Sequence, residues 1–124
     1  VNINMRRPKL KYYYCAMAEG NYRDFEASRA IQIAPQATID INTGAVTGQS
    51  FVYLCESGTC ADDNYRALYK TSEPLFVLRI PAEYVDRYLL KDTLKPGVWE
   101  YRRSMLIPHC GVERFELDTA AQVL

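Results

Sequence analysis

Hydrophobic positions in this chain fall mainly in short runs that are typical of β-strands. Residues 51–55 have no polar side, which predicts a central strand covered on both faces. Residues 38–41 alternate between polar and apolar side chains, which is typical of an exposed strand. Aromatic and β-branched residues, which favour strands, predict the others: residues 10–15, 75–80, 98–102, 105–107 and 112–117.

Other segments have the spacing of helices. Four apolar residues at i, i+4, i+7 and i+8 predict one face of a helix over residues 61–69: Ala61, Tyr65, Leu68 and Tyr69. The charged segment 21–29 predicts a short helix with Phe25 packed inward. Pro81 favours a helix start, so residues 82–90 are predicted as a third short helix.

These elements predict a strand-rich α+β fold with a mixed or antiparallel sheet and two or three short helices. At 124 residues, the chain has the length of a single domain, which we predict to cover residues 1–124, with residues 1–9 as a flexible arm. No apolar run approaches the roughly 18 residues that a membrane span needs. A membrane partner is therefore not expected, and the sequence leaves the cellular location open.

Charge limits the classes of partner. Lys plus Arg and Asp plus Glu both number 15, so the formal net charge is zero. Proteins that bind nucleic acid by neutralising phosphates usually carry a basic excess, and this balance disfavours that mode of binding. The chain also lacks the glycine-rich phosphate loops of classical dinucleotide-binding and P-loop folds.

The cysteines and the single histidine restrict the possible chemistry. Only Cys55 and Cys60 lie close together, whereas zinc motifs usually contain two tight pairs, so no metal site is predicted. Buried free thiols are the favoured interpretation, and a Cys55–Cys60 disulfide is the alternative. Because His109 is the only histidine, a ribonuclease mechanism that uses two histidines is excluded.

Tyrosine is the unusual residue type, with 10 copies. A tyrosine ring can stack on a flat ligand while its hydroxyl group makes a hydrogen bond. A tyrosine-lined groove for a base or ring is therefore one interpretation. A partly hydrated core is the other.

The order of the segments resembles that of the mono-ADP-ribosyltransferase superfamily, the NAD-consuming toxins and modifiers. The resemblance covers residues 10–117. It rests on a tyrosine-rich opening strand, a short helix, a glycine-containing loop and four later segments: Phe51-Val52-Tyr53-Leu54, the helix 61–69, the strand 76–81, and Trp99-Glu100-Tyr101 before Ile107-Pro108. The resemblance implies the split sheet of that family.

The resemblance also implies an activity, that of an NAD-dependent mono-ADP-ribosyltransferase or an NAD glycohydrolase. NAD would be the substrate, and Glu100 would bind the ribose 2′-hydroxyl group and stabilise the oxocarbenium-like centre as nicotinamide leaves. The attraction between a carboxylate and this sugar grows as the bond breaks, so it favours the transition state.

The remaining site residues follow from the same resemblance. Tyr14 stands where the family has a histidine or arginine that holds the NAD ribose and phosphate, so a cation would have to come from elsewhere, such as Arg23 or Arg102. The residues assigned to NAD binding are Tyr13, Tyr14, Tyr53, Arg23 and Tyr65. The acceptor would be a macromolecule, protein or nucleic acid, or water. A small toxin-like domain also suggests a neutralising partner protein.

Two other functions are compatible with the residues. The first is a metal-independent ribonuclease toxin, with four residues around the scissile phosphate: Glu100, Arg102, Arg103 and His109. The second is a non-enzymatic binding module in which the tyrosines form a recognition surface.

Overall fold

The computed structural model describes residues 10–33, 38–39, 41–42, 46–47 and 51–115. The predicted arm over residues 1–9 lies outside these ranges. The helices are α1 (Glu19–Ser28) and α2 (Gly58–Tyr69). The described strands are β1 (Tyr12–Ala18), β2 (Ala30–Ile31), β3 (Thr38–Ile39), β4 (Val46–Thr47), β5 (Val52–Cys55), β6 (Leu75–Pro81), β7 (Leu90–Asp92), β8 (Val98–Tyr101), β9 (Met105–Leu106) and β10 (Gly111–Phe115).

Six strands form the main sheet, in the order β10-β6-β1-β5-β8-β7. Two small ladders, β2 with β9 and β3 with β4, accompany it. Every strand pair in the described ranges is antiparallel. The predicted α+β class with an antiparallel sheet is confirmed. Among the described helices, none is long and apolar enough to cross a membrane.

The opening strand pairs very unequally with its two neighbours. β1 pairs with β6 at seven register positions, from Tyr12 opposite Pro81 to Ala18 opposite Leu75. Its ladder with β5 contains one position, Tyr14 opposite Cys55. Tertiary pairing therefore extends β1 to Ala18, beyond the predicted end at Cys15, and it leaves the later part of β1 without a ladder to β5 among the described residues.

Successive residues of β1 point to opposite faces of the sheet, as the pleat requires. Tyr13, Cys15 and Met17 are buried in the larger hydrophobic cluster together with Phe25 of α1. Ala16 packs on the other face, against the smaller cluster beneath α2. The sheet is thus covered on one face by α1 and on the other by α2.

Helix α2 begins earlier than the hydrophobic spacing predicts. Ser57 is the N-cap, and its hydroxyl oxygen accepts a hydrogen bond from the Cys60 N–H group at 3.1 Å. This satisfies one of the free N–H groups of the first turn. Only Ala61 is buried in this helix, while Leu68 and Tyr69 remain about half exposed, at 47% and 48%.

The predicted helix over residues 82–90 is wrong. The chain forms two short 3-10 turns there, Ala82–Tyr84 and Arg87–Leu89. Between them Val85 is extended, and the Asp86 side chain accepts a hydrogen bond from the Tyr88 N–H group at 3.0 Å. A hydrogen bond of this kind disfavours a continuous helix, because the aspartate side chain stabilises a new helix N-terminus instead.

Candidate functional site

Tyr53 and Glu100 form the centre of the candidate site. They lie directly opposite each other on β5 and β8, and both are partly buried. Side chains in such positions have Cβ atoms about 4.5–5.5 Å apart. Burial raises the pKa of Tyr53, and the Glu100 carboxylate raises it further. Lys91 of β7 is the cross-strand neighbour of Glu100 on its other side.

A tyrosine-lined cavity, here called the tyrosine pocket, opens beside Tyr53. Tyr53 of β5 and three residues of α2, Asn64, Tyr65 and Tyr69, form its rim. The rings of Tyr65 and Tyr69 are 4.5 Å apart between centroids and are inclined by 44°. The pocket contains about 300 Å³ of empty space including its open mouth, and Tyr69 in its wall is half exposed.

A second cavity, here called the helix pocket, lies between α1 and the end of β1. Its empty space, with the open solvent at its mouth included, is about 610 Å³. Polar residues of α1 and the residue after β2 contribute to its walls: Asn21, Asp24, Ser28 and Gln32. Both cavities are lined by Cys15, Ala16 and Tyr65, so they meet where β1 departs from β5.

Tyr65 connects the two pockets. It extends from α2 to a hydrogen bond with the backbone of Ala18, where β1 passes into α1. Burial and the neighbouring Tyr69 raise the pKa of Tyr65, and the hydrogen bond at Ala18 opposes them. The neutral phenol group is therefore the stable form at this junction.

The structure separates the residues assigned to NAD binding. Tyr53 and Tyr65 line the tyrosine pocket. Tyr14 lies on the same sheet face, between Cys55 and Arg79, but lines neither pocket. Glu100 flanks the tyrosine pocket through its pairing with Tyr53.

Tyr13 and Arg23 lie elsewhere. Tyr13 is 2% exposed on the opposite face, where its ring meets Trp99 edge to face at a centroid distance of 5.7 Å. Its place in the strand alternation directs it into the core. Arg23 is exposed on α1 and forms a salt bridge with Glu19 at 2.7 Å. Neither residue lines the tyrosine pocket or the helix pocket.

Arg102 is the proposed alternative cation that lies near Tyr53. Its guanidinium group is 4.5 Å from the centre of the Phe51 ring. Phe51 in turn contacts Tyr53 edge to face at 6.0 Å between centroids. An arginine stacked on an aromatic ring still presents N–H groups at its edge, which suit phosphate.

Two of the four ribonuclease residues, Glu100 and His109, belong to different parts of the sheet. Glu100 is on β8, whereas His109 lies two residues before β10, at the opposite edge of the sheet. Strands β8 and β10 are separated by β5, β1 and β6, hence by about 19 Å at the usual strand spacing. A single phosphate cannot contact residues of both strands across that distance.

The four cysteines are free thiols. Burial raises the pKa of Cys15 to about 12 and also raises that of Cys55, which makes a side-chain hydrogen bond with Cys60. Such thiols are weak nucleophiles because the thiolate is the reactive form. No group of three or more His, Cys, Asp or Glu side chains that could hold a metal ion occurs within residues 10–33, 38–39, 41–42, 46–47 and 51–115.

Sequence reasoning missed Asp24, Asn64 and Tyr69 as pocket residues. Asp24 shares a helix face with Asn21 and Ser28, at i−3 and i+4, and this spacing could have identified a polar face. The helical spacing of Ala61, Tyr65, Leu68 and Tyr69 predicts that Tyr69 faces the core. Tyr69 is instead the last residue of α2 and is 48% exposed.

The tyrosines of the pocket are expected to make the protein sensitive to alkali. Burial raises the pKa of Tyr53, Tyr65 and Tyr69. The folded state therefore holds these protons more tightly than the unfolded state, whose tyrosines ionise near pH 10. Their contribution to stability is complete below about pH 10 and is lost as pH rises through the folded-state pKa values. Urea unfolding at increasing pH should show this loss, and the Y53F/Y69F double variant should show less of it; equal losses would contradict the prediction.

The fold and the site define an α+β domain with an antiparallel sheet and a tyrosine-lined cleft beside a glutamate. No protein-family model, curated protein or solved structure matches the chain.

Proposed function

We propose that this protein cleaves the bond between nicotinamide and ribose in NAD and passes ADP-ribose to a macromolecular acceptor or to water. The observation that carries the proposal is the cross-strand pair of Tyr53 and Glu100 at the edge of the tyrosine pocket. An aromatic surface for the nicotinamide ring and a carboxylate for the sugar thus lie side by side. Resemblance to the ADP-ribosyltransferases supports the same assignment.

The tyrosine rings bind the leaving group. Nicotinamide bound to ribose is a cationic ring, and tyrosine faces attract cations as well as flat rings. Tyr65 and Tyr69, 4.5 Å apart, offer two such surfaces. Burial raises the pKa of both phenols, so the rings stay neutral at physiological pH.

Glu100 acts on the sugar. The bond between the ribose C1′ and the nicotinamide nitrogen breaks, its electron pair leaves with nicotinamide, and positive charge develops on the ribose. A carboxylate beside this centre stabilises the transition state more than the ground state, because the charge is still developing. Attack by an acceptor or water on C1′ then forms the new bond, and the attacking group releases its proton.

The proposal includes a neutralising partner protein, because the domain resembles small toxins. The cation that the opening strand lacks at Tyr14 is best supplied by Arg102, through its stack on Phe51, since Arg23 is paired with Glu19 away from both pockets.

The proposal is tested by measuring nicotinamide release from NAD by the purified chain and by the Glu100→Gln variant. We expect release by the natural protein and a decrease of about 10²–10³-fold in the variant, the range for loss of one electrostatic transition-state contact. The pocket and the Tyr53 contact surface remain in the variant, so the NAD concentration at half-maximal rate should change less than the rate.

Glu113→Gln is the matched control. Glu113 lies on the edge strand β10 and is exposed, while Glu100 is four strands away. The control should release nicotinamide at the natural rate. An equal decrease in both variants, or no release by the natural protein with cell lysate as acceptor, would contradict the proposal.

A further inference from the structure

We infer that the helix pocket binds the free 2′,3′-diol of a second ribose and rejects a ribose that carries a phosphate ester. As an extension of the proposed function, this ribose is the adenosine ribose, and the domain selects NAD against NADP. The inference concerns binding at a cavity distinct from the tyrosine pocket. It is therefore testable apart from catalysis.

The lining of the helix pocket suits hydroxyl groups. Asp24 is its one charged residue among the described residues, and three neutral polar side chains accompany it: Asn21, Ser28 and Gln32. A carboxylate has two oxygens and accepts hydrogen bonds from two neighbouring hydroxyl groups. Acidic residues bind an unmodified ribose in this way in other nucleotide sites, where an arginine accommodates a 2′-phosphate.

Cations are missing where a phosphate ester would need one. No lysine or arginine lines either pocket among the described residues. The sequence from residue 30 to residue 65, which leads from the end of α1 into α2, contains no Lys, Arg or His at all. A phosphate of about −1.5 to −2 charge would therefore face Asp24 with no cation among the described residues that line the pocket.

The two arginines that flank this stretch are already engaged. Arg29 donates to the Cys110 sulfur at 3.9 Å and lies 5.7 Å from the Phe25 ring centre. The part-buried Arg66 side chain forms a salt bridge with Asp62 at 3.1 Å. It also donates a hydrogen bond to the Glu73 carbonyl oxygen at 2.7 Å. Recruiting either residue would break these contacts.

The position of the helix pocket suits a ligand with two nucleoside halves. Tyr65 lines both cavities, and its hydroxyl group is held at the Ala18 backbone between them. A ring bound at Tyr53 and Tyr69 and a sugar bound at Asp24 thus lie on either side of one side chain. A dinucleotide supplies both a ring for the tyrosine pocket and a second ribose for the helix pocket, whereas a single nucleoside fills only one pocket.

The first experiment compares nicotinamide release from NAD and NADP. We expect kcat/KM for NAD to exceed that for NADP by at least about 10-fold, as expected when one charge-assisted contact is replaced by repulsion. Asp24→Asn should lower kcat/KM for NAD about 10-fold, so that the kcat/KM values for NAD and NADP differ by less than about 3-fold. Asp63→Asn, on the exposed side of α2, is the matched control and should keep the natural ratio.

The second experiment measures binding without turnover, by equilibrium dialysis of adenosine and of adenosine 2′-phosphate against the natural chain and Asp24→Asn. Adenosine should bind the natural chain more tightly than its phosphate ester, and Asp24→Asn should remove the difference. Such binding without nicotinamide release from NAD would support the inference and overturn the proposed function. No binding of adenosine, equal binding of both compounds, or equal use of NAD and NADP would overturn the inference.

Discussion

Replacing Phe25 by alanine is expected to lower the free energy of unfolding by roughly 3–5 kcal/mol, the usual effect of removing a fully buried aromatic ring. Phe25 is 1% exposed and is the only buried residue of α1. The helix has no side-chain N-cap, and its Tyr22 ring stacks on Phe76 at 4.1 Å as a second, partly exposed contact. Phe25 is therefore the one side chain of α1 that is fully inserted in the core.

Urea denaturation followed by circular dichroism measures this effect. Phe25→Leu keeps most of the volume and should cost less than about 1.5 kcal/mol. Because small domains are stable by only about 5–15 kcal/mol, the alanine variant could be largely unfolded, and the leucine variant keeps the comparison quantitative. Losses below about 1 kcal/mol for Phe25→Ala would mean that α1 does not depend on this contact.

The second large effect distinguishes two adjacent tyrosines. Tyr13→Ala is expected to destabilise the protein by roughly 3–5 kcal/mol, because it removes a buried ring and its edge-to-face contact with Trp99. Tyr14→Ala should cost about 1 kcal/mol, since Tyr14 is only partly buried on the face that α2 covers. Paired thermal and urea unfolding curves measure the difference.

The same pair of positions separates structure from ligand binding. Tyr13→Phe keeps the ring in the core and should leave nicotinamide release at the natural rate. Tyr14 shares the sheet face of the tyrosine pocket, so Tyr14→Ala is expected to affect release more than Tyr13→Phe does. A strong loss of release in Tyr13→Phe, with stability retained, would place Tyr13 in the NAD site and contradict its assignment to the core.

The strand and helix types could largely be predicted because they depend on local patterns. The central strand β5 and the two α-helices follow from an unbroken apolar run and from helical spacing. Residues 82–90 have the apolar spacing of a helix, so their two short turns could not be predicted from spacing alone. The hydrogen bond from the Tyr88 N–H group to the Asp86 side chain starts a second turn there and interrupts the helix. The end of β1 at Ala18 was missed because its long ladder with β6 outweighs the low strand preference of Ala16 and Ala18.

The candidate site was less predictable than the fold. Glu100 and Tyr53 belong to strands that are more than 40 residues apart in the sequence, and only the register of β5 and β8 brings them together. Tyr13 and Tyr14 are neighbours in sequence, yet a strand directs them to opposite faces. A resemblance based on the order of elements names both residues, whereas the pleat decides which of them can meet a ligand.

The long ladder between β1 and β6 also determines when this protein can fold during its synthesis. Tyr12 pairs with Pro81 and Ala18 pairs with Leu75, so the strand at the middle of the sheet must wait for partners made some 60 residues later. A ribosome synthesises roughly 5–20 residues per second, so β1 remains unpaired with β6 for several seconds. During that interval β1 lacks its longest ladder, and unpaired strand edges of this kind make a partly folded chain prone to aggregation.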